Sequence, residues 1–87
     1  NLSGVNLEGA NLHSANLEGS NVENTSLKGS NLGHANLAGL DLSNKDLSGA
    51  NVDGANLQRA NLSGSNLQGV NLVNANLKET NLKDTLQ

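Results

Sequence analysis

The sequence predicts an all-β solenoid, a chain that winds as one continuous coil of short strands and turns. Three observations predict it: a five-residue repeat runs without a gap through the 87 residues, Leu recurs at its second position, and Gly recurs at its fourth. A chain of this length normally buries too little apolar surface to form a large core. Stacking of identical coils offers a way around that limit.

The repeat divides the chain into seventeen pentads, whose positions are called slots 1 to 5 here. Slot 1 is Asn in fourteen pentads, and slot 2 is Leu except at Val22 and Val52. Slot 4 is Gly nine times, and slot 5 is mostly Ala, Ser, Thr or Val. Neither a helix nor a straight strand keeps every fifth residue on one side. The backbone must therefore turn once in each pentad.

Slot 4 supplies the turn, because Gly accepts the positive φ that the third residue of a type II turn requires. Asn24, Asn44, Asn74 and Asp84 also tolerate this region. Another turn type is expected where slot 4 holds a residue less suited to it: Ser14, His34, Arg59 and Glu79. If each turn bends the chain by about 90°, four pentads close one square coil.

The repeated A-N-L-x-G pattern resembles the pentapeptide-repeat family across the whole chain, from Asn1 to Gln87. The resemblance implies a right-handed quadrilateral β-helix of four pentapeptides per coil and about four coils. It also implies that the slot 2 Leu and the small slot 5 residue point inward. We expect residues 1–87 to form a single domain.

Stacked coils should bury their Leu rings against each other, since one coil alone is too thin to have a core. The expected core consists of Leu7, Leu12, Leu17, Leu27, Leu32, Leu37, Leu42, Leu47, Leu57, Leu62, Leu67, Leu72 and Leu77.

Leu40 and Lys45 break the pattern, because both stand in slot 5, where small residues are expected. A buried, unpaired Lys would be very costly. Its stem can lie along the wall while the ammonium reaches water. We therefore expect a local widening of the third coil, with Lys45 turned outward near Asp41 or Asp46.

In a coil of twenty residues, residues twenty positions apart stack in one column. Ser14 and His34 then share a column and Asp53 lies in the next one, which superficially resembles a hydrolytic triad. A flat solenoid face offers neither a pocket nor an oxyanion hole for such chemistry. His13 and His34 lack the further ligands that a metal site needs. The sequence therefore predicts a protein that is not an enzyme, with no catalytic, cofactor-binding or metal-binding residues.

The predicted function is that of a structural or protein-interaction module, part of a longer protein, with an unknown protein partner. The family resemblance implies an alternative, a DNA mimic that binds a type II topoisomerase and confers quinolone resistance. Slot 1 argues against it, because Asn stands where Asp would supply the charge, apart from Asp41 and Asp46. A lectin-like or ice-binding face is a third option, without a Thr ladder or aromatic platform to support it.

A net charge of −3 gives no attraction to nucleic acid or to anionic membranes. By default the protein is expected to be soluble and cytoplasmic. The chain begins in register and has no segment resembling a cap, and open solenoid ends expose backbone edges. End-to-end self-association, or caps supplied by further sequence, is therefore expected.

Overall fold

The structure is a computed structural model that describes residues 1–87, and it winds as a coil with a period of twenty residues. It contains no helix and no continuous strand. Strand pairing is confined to single residues, each bridged in parallel to the residue twenty positions on. The bridged pairs are Asn6–Ser26, Asn11–Asn31, Asn16–Asn36, Asn31–Asn51, Asn36–Asn56, Asp41–Asn61, Asp46–Asn66, Asn56–Asn76, Asn61–Asn81 and Asn66–Leu86. Coils thus stack in register over a molecule of 25 × 23 × 22 Å.

Three backbone hydrogen bonds repeat along the stack and tie each coil to the next. The slot 4 N–H donates to the slot 3 carbonyl of the following coil, as from His34 to Asp53 at 2.8 Å. The slot 2 N–H donates to the slot 1 carbonyl of the following coil, as from Leu32 to Asn51 at 2.7 Å. The slot 1 N–H donates to a slot 5 carbonyl of the preceding coil, as from Asn51 to Ser30 at 2.9 Å. These bonds form the ladder that fixes the distance between coils.

Every pentad except that of Lys45 turns through a bond from the slot 5 N–H to the slot 2 carbonyl, as from Ala35 to Leu32 at 3.0 Å. Slot 4 then has positive φ, as expected for a type II turn. The expectation of another turn type was wrong for all four residues, because φ is 57–64° at Ser14, His34, Arg59 and Glu79. Ladder bonds at or next to these residues, for example from the His34 N–H to the Asp53 carbonyl at 2.8 Å, hold them in a conformation that they would not choose alone.

The exception is Asn74, which was expected to tolerate positive φ and does not adopt it. Its side-chain amide instead donates to Asp53 Oδ1 at 2.7 Å.

Slot 1 side chains support the turns in a uniform way. The side-chain oxygen accepts a hydrogen bond from the backbone N–H two residues on, for example from Gly33 to Asn31 at 3.0 Å. All fourteen Asn residues of slot 1 and both Asp residues make this bond. This Asx turn explains the preference for Asn and Asp in slot 1.

The interior is a ring of Leu residues that is buried in the middle coils and half-buried at the ends. Of the thirteen expected core residues, Leu17, Leu27, Leu32, Leu37, Leu42, Leu47, Leu57, Leu62 and Leu67 are buried, and Leu7, Leu12, Leu72 and Leu77 are half-buried. The end coils have a neighbour on one side only, which leaves their Leu residues partly open.

Replacing Leu57 by Ala should lower the free energy of unfolding by about 2–5 kcal/mol, since Leu57 is buried and its removal leaves a cavity. Leu77→Ala is the matched control, because Leu77 lies one coil below Leu57 and is only half-buried. Urea denaturation should show the smaller loss for Leu77→Ala. Equal losses would contradict a core centred on the middle coils.

Candidate functional site

The ladder is interrupted between two segments of adjacent coils, residues 20–26 and residues 41–46. The Asp41 N–H does not reach Ser20, and the Asp46 N–H does not reach Thr25, although the equivalent bonds form elsewhere. The bridges from Asn21 to Asp41 and from Ser26 to Asp46 are missing too. The lower segment keeps its bonds to the coil below, for example from Leu42 N–H to the Asn61 carbonyl at 2.7 Å. Only the contact with the coil above has opened.

The size and chemistry of slot 5 explain where the ladder opens. Each slot 5 residue is followed by a slot 1 residue whose N–H can bond to the coil above. Thirteen slot 5 residues, from Thr25 to Thr85, have such a coil above them. The ten that are Ala, Ser or Thr keep this bond, and Leu40, Lys45 and Val70 lose it. Ala is small enough for the normal coil spacing, whereas Leu and Lys are larger.

Val70 and Thr80 have the same shape and differ in the hydroxyl of Thr80. Thr80 donates its hydroxyl to the Leu57 carbonyl, 23 residues earlier, at 2.7 Å. Thr25 and Ser65 make the equivalent bonds to Leu2 and Leu42, both at 2.6 Å. At Thr25, Ser65 and Thr80 the hydroxyl thus attaches the side chain to the coil above, which a Val methyl group cannot do. Ser30 Oγ is buried without a hydrogen-bond partner, and Thr85 donates to the Leu82 carbonyl within its own turn.

Lys45 makes the same bond with an ammonium group. Its Nζ donates to the Val22 carbonyl, 23 residues earlier, at 2.6 Å and to the Thr25 carbonyl at 3.0 Å. The Thr25 carbonyl is the acceptor that the Asp46 N–H would use in an intact ladder. The longer Lys side chain therefore replaces a ladder bond and holds the two coils apart.

The expectation that Lys45 turns outward toward Asp41 or Asp46 was therefore wrong. Its ammonium lies against the backbone of the preceding coil, where two carbonyls satisfy it. The turn at Lys45 has changed as well: its N–H donates to Ser65 Oγ at 3.1 Å, and Ser65 Oγ donates to the Leu42 carbonyl. Leu40, the other irregular slot 5 residue, is buried in the core.

The opening between the two segments forms a cleft of about 690 Å³, here called the Lys45 cleft. It is lined by Ser20, Asn21, Val22, Glu23, Asn24, Thr25, Ser26, Asp41, Ser43, Asn44, Lys45 and Asp46. Val22 is the one hydrophobic residue among them, so the cleft is polar. The ladder is also open between residues 50–54 and 71–74, next to Val70, but the space there is an apolar gap of about 10 Å³ that belongs to the Leu interior.

Three carboxylates and one ammonium set the charge of the Lys45 cleft. Partial burial lowers the pKa of Lys45, although the negative charges of Asp41 and Glu23 oppose this effect. The Ser43 hydroxyl, at 2.7 Å, and the Ser43 N–H lower the pKa of Asp41. The hydroxyl and N–H of Ser48 similarly lower the pKa of Asp46. Both aspartates are thus held as anions, and any stability that they contribute is lost as the pH falls through their lowered pKa values.

The residues weighed as a hydrolytic triad are not joined by hydrogen bonds to one another. Ser14 Oγ lies 2.9 Å from Nδ1 of His13, not from His34, and Asp53 accepts from Asn74. The rings of His13 and His34 meet edge to face with their centroids 5.4 Å apart. No group of three His, Asp or Glu residues is placed to hold a metal ion.

Comparison with known families agrees with this architecture. The sequence model of the family "Pentapeptide repeats" matches in eight copies, over residues 1–29, 25–64 and 46–84. The chain belongs to the pentapeptide-repeat family. No curated protein sequence is significantly similar to it, and no helix is long and apolar enough to cross a membrane.

Solved pentapeptide-repeat proteins share the fold. Rfr23 from the cyanobacterium Cyanothece 51142 is 42% identical with a TM-score of 0.88, and the match covers 93% of this chain and 55% of that chain. A pentapeptide-repeat protein from the Arabidopsis thaliana thylakoid lumen is 28% identical with a TM-score of 0.51, covering 98% of this chain and 59% of that one. QnrB1, a plasmid-mediated fluoroquinolone resistance protein, was solved after trypsin treatment of a variant. It is 21% identical with a TM-score of 0.63, covering 95% of this chain and 43% of that one. The chain thus spans about half the length of these relatives.

Replacing Lys45 by Ser should raise the free energy of unfolding by about 1–2 kcal/mol, because ladder bonds worth about 0.5–1.5 kcal/mol each can re-form. The new hydroxyl is expected to donate to the Val22 carbonyl, as Ser65 does to Leu42. Lys78→Ser is the control, since Lys78 is exposed on another side of the coil, and its effect should stay within about 0.5 kcal/mol. A clear destabilisation by Lys45→Ser in urea denaturation would contradict this expectation. It would show that the hydrogen bonds of the Lys45 ammonium stabilise the stack more than the re-formed ladder bonds do.

Proposed function

We propose that this chain is a structural and protein-interaction module without catalysis of its own, and part of a longer protein. The observation that carries the proposal is the Lys45 cleft, a polar opening in a stack whose other ladder bonds are almost all made. A module of this kind holds a binding surface on a rigid frame, as solenoid proteins do.

The chemistry of the cleft favours binding over catalysis. General acid–base catalysis near neutral pH works best with a group whose pKa lies near the working pH. Asp41 and Asp46 have pKa values below the ordinary aspartate value, so both stay charged. Lys45 is already engaged by two carbonyls. These groups suit the recognition of a positively charged partner.

The coil is proposed to be right-handed and quadrilateral, as the family resemblance implies. Four turns in each twenty residues support four sides. Flat sides lined by short polar residues would give the frame several faces, of which the face with the cleft is the proposed interaction face.

DNA mimicry is not favoured, although QnrB1 shares the fold. A DNA duplex as long as this molecule, 25 Å, carries about 15 negative charges by its spacing of about 1.7 Å per charge. This chain has eight acidic and five basic residues, for a net charge of −3. At 21% identity, the likeness to QnrB1 supports the fold alone.

Site-specific photo-crosslinking tests the proposed interaction face. A photoreactive residue at Asn44, in the cleft, should capture a partner protein from cell extract, and the same residue at Lys78 should capture none. Capture by Lys78 alone, or by neither position, would contradict the proposal. A gyrase supercoiling assay checks the alternative, and inhibition by this chain would favour DNA mimicry over the interaction module.

A further inference from the structure

The Lys45 cleft has an upper lip, residues 20–26, and a lower lip, residues 41–46. Backbone hydrogen-bonding groups on both lips have no partner. On the upper lip, the N–H groups of Val22 and Asn24 donate to no acceptor. On the lower lip, the N–H groups of Asp41 and Asp46 are likewise unpaired. Unpaired backbone groups at the edge of a sheet are a template for pairing with another chain.

The carbonyls across the opening are also free of backbone donors. An intact ladder would direct the Val22 N–H to the Asp41 carbonyl and the Asn24 N–H to the Ser43 carbonyl, and both bonds are absent. The cleft therefore presents donors and acceptors on each lip. A cation or an anion would satisfy only one kind of group. An extended peptide carries both N–H and C=O groups along each of its edges and can satisfy both kinds.

The charge of the lips indicates what side chains this peptide should carry. Glu23, Asp41 and Asp46 line the opening, and Lys45 is turned inward against the carbonyls of the upper lip. The charge left at the mouth is therefore negative. Alternate residues of an extended peptide point to the same side, so Arg or Lys at every second position would meet these carboxylates.

We propose that the Lys45 cleft binds an extended basic peptide segment of another protein by pairing with the open backbone groups of its lips. Each pentad contains a turn, so a short stretch of the peptide would pair with the straight part of one side of the coil. Lys45 keeps the cleft open from its inner side. This inference rests on the proposed interaction function and names the class of partner for the same surface.

A synthetic peptide of alternating Val and Arg, six residues long, acetylated and amidated at its ends, tests the proposal. Binding to the full chain is measured by isothermal titration calorimetry at 0.15 M salt, an ionic strength at which exposed charges more than about 8 Å apart are largely screened. The peptide should bind, and its addition should shift the amide NMR signals of Val22, Asn24 and Asp41. A peptide of alternating Val and Glu should bind at least about tenfold more weakly.

Two controls separate backbone pairing from simple charge attraction. The Val–Arg peptide with N-methyl groups on alternate residues keeps its charge but cannot pair along one edge, and should bind at least about tenfold more weakly. Lys45→Ser should weaken binding of the unmodified peptide by a similar factor, because it lets the ladder bond from the Asp46 N–H to the Thr25 carbonyl re-form. Lys78→Ser removes the same charge from an exposed position away from the cleft and should leave the affinity unchanged.

Absence of binding, or equal affinity for the N-methylated peptide, would overturn the proposal. Undiminished binding to Lys45→Ser, with the NMR shifts outside residues 20–26 and 41–46, would overturn it as well. These results leave the interaction function itself intact if Asn44 still captures a partner. Loss of that capture, in contrast, would remove the function on which the inference rests.

Discussion

The fixed distance between stacked coils is the constraint on which the rest of this structure depends. Ladder bonds between residues of adjacent coils set that distance, and every inward side chain must fit within it. Slot 2 meets the requirement with Leu, whose side chains fill the interior. Slot 5 accepts Ala, Ser or Thr, and the hydroxyls of Thr25, Ser65 and Thr80 bond to the backbone of the coil above. The proposed interaction site lies where this rule is broken.

The Asx turns show why a neutral side chain dominates slot 1. An Asn oxygen accepts the N–H two residues on as well as a carboxylate oxygen does, as the bonds of Asn31 and Asp41 show. Stacked Asp residues would in addition place like charges directly opposite each other, which is destabilising. The two Asp residues of slot 1 each stand between uncharged residues of their columns and flank the one face with an open cleft. Among the slot 1 residues, only these two at the Lys45 cleft are charged.

Much of the fold could be predicted from the sequence, because one repeat specifies the turn, the interior and the stacking together. The family assignment is confirmed by the match to the pentapeptide-repeat model. The turn types at Ser14 and His34 could not be predicted from local preference, since the surrounding ladder imposes positive φ on them. The half-burial of Leu7 and Leu77 depends on their place in the end coils and not on their pentads.

The site was predictable in position but not in geometry. Leu40 and Lys45 stood out as residues too large for slot 5, and the opening lies beside them. The predicted direction of the Lys45 side chain was wrong because the nearby Asp41 and Asp46 suggested ion pairs. The actual acceptors are two backbone carbonyls of the preceding coil. The signal that could have found this is the twenty-residue column, in which Lys45 stands between Thr25 and Ser65, both of which carry a donor.

Amide hydrogen exchange tests most directly the claim that slot 5 side chains decide where the coils are joined. The N–H groups of Asp41, Asp46 and Asn71 follow the three residues that break the slot 5 rule, and they should exchange fast. Those of Asn51 and Asn61 follow Ala and bond to the coil above at 2.9 Å, and they should be protected. Comparable protection at all five positions would contradict the account.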